Sequence, residues 1–306
     1  MRILVTNDDG VSAPGLGALT RALLRWTKES TASGGPSHEI VVVAPSSNYS
    51  GAGAAVGSVT NGTRIIYHRA RVVGAEEVDA FGLDASPALS VIAGALGAVG
   101  PRPDLVLSGI NHGVNVGRSV LHSGTVGAAL TASQLGISAL AVSMRAGTSV
   151  DWWESAADLA VALIPVVAGA PVCTVLNLNV PSLPMHEILG LRWARVSGAG
   201  LIRAATDSWE SPNSPEMEGP AAAEAALAHI DGGPAEKGEI VLNVGSPFPH
   251  SGDMGLADPG EDATLVAQGY AALTALRGPM SDEDPALRKL LDDGLAGAIA
   301  PLGLPG

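Results

Sequence analysis

The sequence predicts a doubly wound α/β fold on a mostly parallel sheet. Three observations predict it. Short apolar runs end abruptly in polar, glycine-bearing turns. Each turn leads into a stretch with helical spacing. This strand–turn–helix unit recurs about five times along the first part of the chain.

The first strand is the run Ile3 to Val5, apolar throughout as in a buried parallel strand. It breaks into Asn7-Asp8-Asp9-Gly10. Pro14-Gly15 then punctuates, and Leu16 to Leu24 takes up helical spacing. Thr27 to His38, rich in Ser, Gly and charge, reads as an exposed loop. Glu39 to Pro45 is the second buried strand, followed directly by Ser46-Ser47-Asn48-Tyr49-Ser50-Gly51. Between Thr63 and Phe81 the alternation suggests a β-hairpin excursion through Arg64–Tyr67, Arg71–Val73 and Glu77–Phe81. Ser86-Pro87 opens a helix over Ala88 to Val99. Asp104 to Asn111 is a strand running into a glycine-rich turn that His112 to Gly117 prolongs. His122-Ser123-Gly124-Thr125 precedes an apolar helix, Val126 to Leu135. Ala139 to Ser143 is a strand, Asp151 to Val167 a helix, and Val172 to Leu178 a strand ending in Asn177-Leu178-Asn179-Val180-Pro181.

Beyond Pro184 the unit weakens. Leu191 to Ser197, Ile240 to Val244 and Leu265 to Leu276 read as strands without paired helices. Ser208 to Gly238 is acidic and loop-like, and the tail from Ser281 is partly helical. The expected division is an α/β core over 1–183 and a C-terminal extension over 184–306, a β-arm and helical tail used for oligomerisation.

At 306 residues the chain can bury a sizeable core. The formal net charge of -13, with no basic cluster, disfavours nonspecific binding to nucleic acid or to an anionic membrane. The one cysteine, Cys173, excludes an internal disulfide and reads as a small buried residue in an apolar run. Too few apolar residues precede Asn7 for a signal peptide. The longest uncharged apolar stretch, Leu159 to Leu178, is interrupted by Pro165, Gly169 and Pro171, which disfavours a membrane span. A soluble cytoplasmic protein is the expectation.

Ligands of open α/β sheets sit just beyond the carboxyl ends of the strands. Asp8 and Asp9 stand there together. Along a regular strand they would face opposite ways, but where the chain leaves the strand both can aim at one point. Two carboxylates that close repel, and a hard divalent cation relieves the repulsion. The competing reading is that one of them merely caps the following helix. Two further strand ends carry hard oxygen donors, Ser50 and Asn111, although each also suits ordinary turn chemistry. Two carboxylates, a hydroxyl and an amide carbonyl make a partial shell for Mg²⁺, Mn²⁺ or Ca²⁺. No Cys/His spacing for zinc is present.

Ser123-Gly124-Thr125 at a helix head offers free N–H groups and hydroxyls to an anion, or a plain N-cap. No Walker loop exists, and the glycines of Gly51 to Gly57 have the wrong spacing for a dinucleotide loop. The motifs hold almost no Lys or Arg; Arg118 is the nearest. A phosphate here would be neutralised by a cation and by N–H groups, as in metal-assisted phosphomonoester hydrolysis.

The runs Asn7-Asp8-Asp9-Gly10-Val11 with Ala13-Pro14-Gly15, Asn48-Tyr49-Ser50-Gly51-Ala52, Ser108-Gly109-Ile110-Asn111 with Gly113, Asn115 and Gly117, Ser123-Gly124-Thr125-Val126, and Asn177-Leu178-Asn179-Val180-Pro181 together resemble the survival protein SurE family. A weaker echo lies at Asp262 to Leu276. The resemblance implies a Rossmann-like core and a divalent-metal-dependent 5′-nucleotidase acting on nucleoside monophosphates. It implies metal ligands at Asp8, Asp9, Ser50 and Asn111. It also implies a homodimer or homotetramer built by exchange of C-terminal arms. Substrate and phosphate contacts are expected at Asn7, Gly109, Asn115, Ser123, Gly124 and Thr125. The chain departs from the family at Leu89, where an acidic residue is usual, at Ala275, where Pro is usual, and at His122, where Tyr is usual.

The expected chemistry is attack of a metal-activated water on phosphorus, with Asp8, Asp9 and Asn111 as the catalytic set. Asp8 or Asp9 could serve as base, and His112 or His122 could protonate the leaving oxygen. A nucleophile at Ser50 or Ser123 lacks an evident His/Asp relay. The alternative is a module that binds metal and nucleotide without turnover, which only Leu89 favours.

Overall fold

The structure is a computed structural model that describes residues 1–57, 59, 60, 62–146, 151–198 and 258–278. The expected strand Ile240–Val244, the acidic loop 208–238 and the tail from Ser281 lie outside the described residues. Residues Met1–Leu276 belong to one compact unit.

The described strands form a single nine-stranded sheet in the order β3-β4-β2-β1-β5-β6-β7-β9-β8. These are β1 (Arg2–Thr6), β2 (Glu39–Pro45), β3 (Tyr67–Ala70), β4 (Asp79–Leu83), β5 (Leu105–His112), β6 (Ser138–Met144), β7 (Val175–Val180), β8 (Leu191–Trp193) and β9 (Ala271–Leu276). Pairing is parallel except between β3 and β4 and between β7 and β9. The helices are α1 (Pro14–Ala32), α2 (Pro87–Ala95), α3 (Gly124–Gln134), α4 (Trp153–Gly169) and α5 (Asp262–Ala267).

The central strands are buried on both faces, which explains their unbroken apolar runs. One face packs Ile3, Val5, Val42 and Leu107 against α1 and α4; the other packs Leu4, Val41, Val43 and Val106 against α2 and α3. The strand order turns at β1: β2 and β4 follow on one side, β5, β6 and β7 on the other. The crevice beyond the carboxyl ends of β1 and β5 is therefore the topological switch point.

Several expected boundaries move. Thr27 is buried and α1 runs to Ala32, so the first half of the expected 27–38 loop is helix. In the hairpin excursion only β3 and β4 are strands; 64–66 and 71–73 lie outside them. Cys173 is exposed and takes a φ of 70° in the turn before β7, not the buried strand position expected. Leu265 to Ala267 are helical, because Gly269, at a φ of 92°, ends α5 just before β9 begins. The sheet does not stop near Leu183: β8 and β9 continue it. Among the described residues no helix is long and apolar enough to cross a membrane.

Two glycines let the helices close onto the site-bearing loops. A Cβ on Gly15 would lie 2.1 Å from the Ile110 carbonyl oxygen of β5. One on Gly127 would lie 2.4 Å from the Gly53 carbonyl oxygen, so α3 rests directly on the loop after β2. Gly15→Ala and Gly127→Ala should each cost about 1–3 kcal/mol, since overpacking forces backbone shifts. Gly169 has nothing within 4 Å, and Gly169→Ala should stay within about 0.5 kcal/mol of wild type. Urea unfolding of the three variants checks the contrast.

Candidate functional site

Asn7 sets the turn after β1. Its buried side chain accepts from the Gly10 N–H at 3.2 Å and donates to the Gly10 carbonyl at 2.9 Å. Gly10, at a φ of 104°, completes the turn. The loops after β1 and β2 are knitted together: Tyr49 N–H donates to the Asp8 carbonyl at 2.7 Å, and Val11 N–H to the Pro45 carbonyl at 2.8 Å. Ser50 thus follows a residue bonded to Asp8. It is exposed, in a turn closed by its own N–H on Asn48 Oδ1 at 2.7 Å.

Asp8 is 3 % exposed. Its Oδ1 accepts from the Thr125 hydroxyl at 2.5 Å and its Oδ2 from the Thr125 N–H at 3.0 Å. The anion at the mouth of α3 is therefore the protein's own carboxylate. Gly124 permits this, since a Cβ there would meet Asp8 Cβ at 2.7 Å. Burial pushes the Asp8 carboxyl above the usual range; Thr125 pulls it down and the neighbouring charge of Asp9 pushes it up further.

Asn111 lies at the end of its strand, as expected, but at an irregularity of β5, which runs one residue further to His112. The β5–β6 register passes from Ser108↔Ala141 to Asn111↔Ser143, two unpaired residues against one. Such a bulge re-aims side chains. Asn111 Nδ2 donates to the Gly113 carbonyl at 2.7 Å, which commits the nitrogen and leaves the amide oxygen for other partners. The next residue's backbone reaches Asp9: His112 N–H donates to Asp9 Oδ2 at 3.1 Å. Asp9 is only partly buried.

Among the described residues no three His, Cys, Asp or Glu side chains form a metal cluster. A cation here would need the mixed set of carboxylate, hydroxyl and amide oxygens. That set fits a hard ion: a buried carboxylate beside a second one, with Ser50 and Asn111 each joined to the pair through a neighbouring residue.

The expected substrate-contact residues divide. Ser123 Oγ accepts from Val126 N–H at 3.0 Å, the N-cap reading. Thr125 is committed to Asp8. Among α3's first three N–H groups this leaves that of Gly124 at the helix mouth. Gly109 answers to β6, because a Cβ there would sit 2.2 Å from the Val142 carbonyl oxygen. Asn115 is buried: its Nδ2 donates to Ser143 Oγ at 2.7 Å and its N–H to Asn179 Oδ1 at 2.7 Å, while its carbonyl accepts from Asn177 and Asn179. The side chains of Asn7 and Thr125 and the amide nitrogen of Asn115 are thus engaged inside the protein.

The two histidines differ. His112 Nε2 lies 3.2 Å from Asp151 Oδ2, and its ring packs against Trp153 at 5.5 Å. His122 is exposed, and its carbonyl accepts from Gly53 N–H at 3.0 Å. Leu89 is a packing residue, set against the core between α2 and the sheet, with its N–H on the Ser86 cap. Ala275 pairs with Leu176 across β9 and β7.

Sequence reasoning missed the roles of Asp151, Asp262 and the pair Asn177/Asn179. The asparagines carried a signal: two residues apart in an apolar strand, they share one buried face and need internal partners.

The fold and site define a doubly wound α/β protein with an oxygen-rich acidic centre at its switch point. A survival protein SurE profile matches residues 3–201. The chain is 33% identical over 278 residues to the 5'-nucleotidase SurE of Aeromonas hydrophila, covering 90% of this chain and 92% of that protein. It is 38% identical over 197 residues to the 5'/3'-nucleotidase SurE of Cronobacter sakazakii, covering 64% and 69%. The crystal structure of the SurE protein from Aquifex aeolicus superimposes with a TM-score of 0.64 at 27% identity, covering 95% of this chain and all of that one. The chain belongs to the survival protein SurE family.

Because the Asp8 carboxyl titrates above its unfolded value, its neutral form favours folding at low pH, and that advantage is lost as pH rises through the raised value. Asp9→Asn removes part of the cause. In EDTA at pH 7, Asp9→Asn should melt about 2–4 °C above wild type, the shift expected for roughly 1 kcal/mol in a domain of this size. The difference should shrink as pH falls below the raised Asp8 value, where a protonated Asp8 no longer opposes a neighbouring charge. Calorimetric scans across pH check it.

Proposed function

We propose that the chain is a divalent-metal-dependent 5′-nucleotidase that hydrolyses nucleoside 5′-monophosphates to nucleoside and phosphate. The names of the relatives, 5'-nucleotidase and 5'/3'-nucleotidase, support nucleotide phosphomonoester hydrolysis. The observation that carries the metal dependence is the buried Asp8 beside Asp9 at the switch point, with its carboxyl pushed up.

In this reading Asp8, Asp9, Ser50 and Asn111 hold one Mg²⁺ or Mn²⁺. Such a cation supplies positive charge against the phosphoryl oxygens and acidifies a water. Asp8, locked by Thr125, fixes the centre's position. Asp9, less buried, takes the proton from the attacking water. The Gly124 N–H receives a phosphate oxygen at the positive end of α3. His112 hands a proton to the leaving 5′-oxygen. Asp151 engages its Nε2, which leaves Nδ1 as the donating atom, and its backbone N–H ties it to Asp9. Among the described residues no such orienting partner engages the His122 ring. Assembly through C-terminal arms remains part of the reading, on the family resemblance alone.

The test is phosphate release from a panel of nucleoside monophosphates with Mg²⁺, Mn²⁺ or EDTA. EDTA should abolish release, and Asp9→Asn should lower kcat/KM by at least about 100-fold, the scale of a positioned base or charge. Nucleotide binding without release would favour the non-catalytic module. Release indifferent to EDTA would remove the metal mechanism.

The histidines give a second test. His112→Ala should lower kcat on nucleoside monophosphates by about 100-fold, the lower range for general acid catalysis. On p-nitrophenyl phosphate, whose leaving group needs no proton, the loss should be much smaller. His122→Ala should leave both substrates within about twofold, as an exposed side chain outside the chemistry would.

A further inference from the structure

Asp262 opens α5 and is fully buried. It lies 145 residues along the chain from Gly117, yet the Gly117 N–H points at its carboxylate, 3.2 Å from Oδ1 and 3.1 Å from Oδ2. Oδ1 also accepts from Ser197 N–H at 3.0 Å and Ala263 N–H at 2.8 Å. Burial pushes this carboxyl up, and the three N–H donors pull it back. A buried carboxylate with backbone donors as its recorded partners is expensive to keep unless its position matters.

Gly117 begins the turn Gly117–His122, which runs straight into the Ser123 cap and into Gly124 and Thr125. Those residues seat Asp8. Upstream, Asn115 is already clamped to β7 by Asn177 and Asn179. Between that clamp and the α3 cap, the Asp262 carboxylate supplies a fixed point from another part of the chain.

We propose that Asp262 is a positioning residue for the catalytic centre: its carboxylate pins Gly117 and so sets where the 117–125 segment presents Gly124 and Thr125 to Asp8. It touches neither substrate nor cation. The activity part of this inference rests on the phosphatase reading; the anchoring part does not.

The geometry supplies a selective variant. In Asp262→Asn the oxygen at the Oδ1 position can keep Ser197, Ala263 and the 3.2 Å half of the Gly117 contact, while the amide nitrogen that replaces Oδ2 removes the 3.1 Å half and sets an N–H against the same donor. Asp262→Ala removes all three contacts. Hydrogen–deuterium exchange of the full-length protein, read on peptides spanning 113–125, tests the anchor. In wild type the Gly117 amide should exchange as slowly as the core strands. In Asp262→Asn it should exchange about tenfold faster or more, the scale of a lost bond to a charged group. The melting temperature should stay near wild type, while Asp262→Ala loses both. With saturating Mn²⁺, Asp262→Asn should show kcat on nucleoside monophosphates lowered about tenfold, with KM for the nucleotide little changed.

A Gly117 amide that exchanges rapidly in wild type overturns the anchor, even if no variant folds. So does unchanged exchange in a folded Asp262→Ala, which keeps no side-chain acceptor for Gly117. Faster exchange with kcat unaltered overturns the catalytic consequence. Wild type without phosphatase activity overturns the proposed function instead, and the exchange result still decides the anchor.

Discussion

The structure turns on the burial of one carboxylate. Asp8 sits at 3 % exposure with both oxygens held by Thr125. An isolated buried carboxylate is heavily penalised. Here a hydroxyl, a backbone N–H and the positive end of α3 offset part of that cost. Asp9, next in the chain, works against it. The arrangement leaves a surplus of negative charge at one place, and a hard cation is the partner that would neutralise it.

The sheet delivers the parts. Strands β1 and β5 are neighbours at the reversal of the strand order, with Thr6 beside Ser108. The chain leaves β1 as Asn7-Asp8-Asp9 at the height where β5 bulges to re-aim Asn111. The loop after β2 is brought up by hydrogen bonds to the β1 loop and by the closeness of Gly127 to Gly53. The turn after β5 is tied down by a row of buried polar groups from Ser143, Asn177 and Asn179. Precision at the centre thus comes from elements far apart in sequence.

Much of this was legible in advance. Mostly apolar runs located β1, β2, β5, β6 and β7, since both faces of a parallel sheet are buried. The paired aspartates at the first strand end pointed to the switch point, because ligands of open α/β sheets sit beyond the carboxyl ends of the strands. Other features were not legible. A helix head rich in N–H donors announces an anion but not which anion; that it is Asp8 depends on tertiary contact. The β5 bulge has no local signature beyond Gly109. The run Leu265 to Ala267 is apolar and short, so periodicity could not separate helix from strand. Asp262 is a single acid in a weakly patterned stretch, and its partners lie at Gly117 and Ser197.

The central claim is that the carboxyl ends of three strands share a single hard cation. An anomalous-difference map from crystals soaked in Mn²⁺ tests it most directly. One peak is expected, within ligand distances of roughly 2.0–2.6 Å of the oxygens of Asp8, Asp9, Ser50 and Asn111. A peak bonded to other residues, or no peak at a concentration that supports turnover, would contradict it.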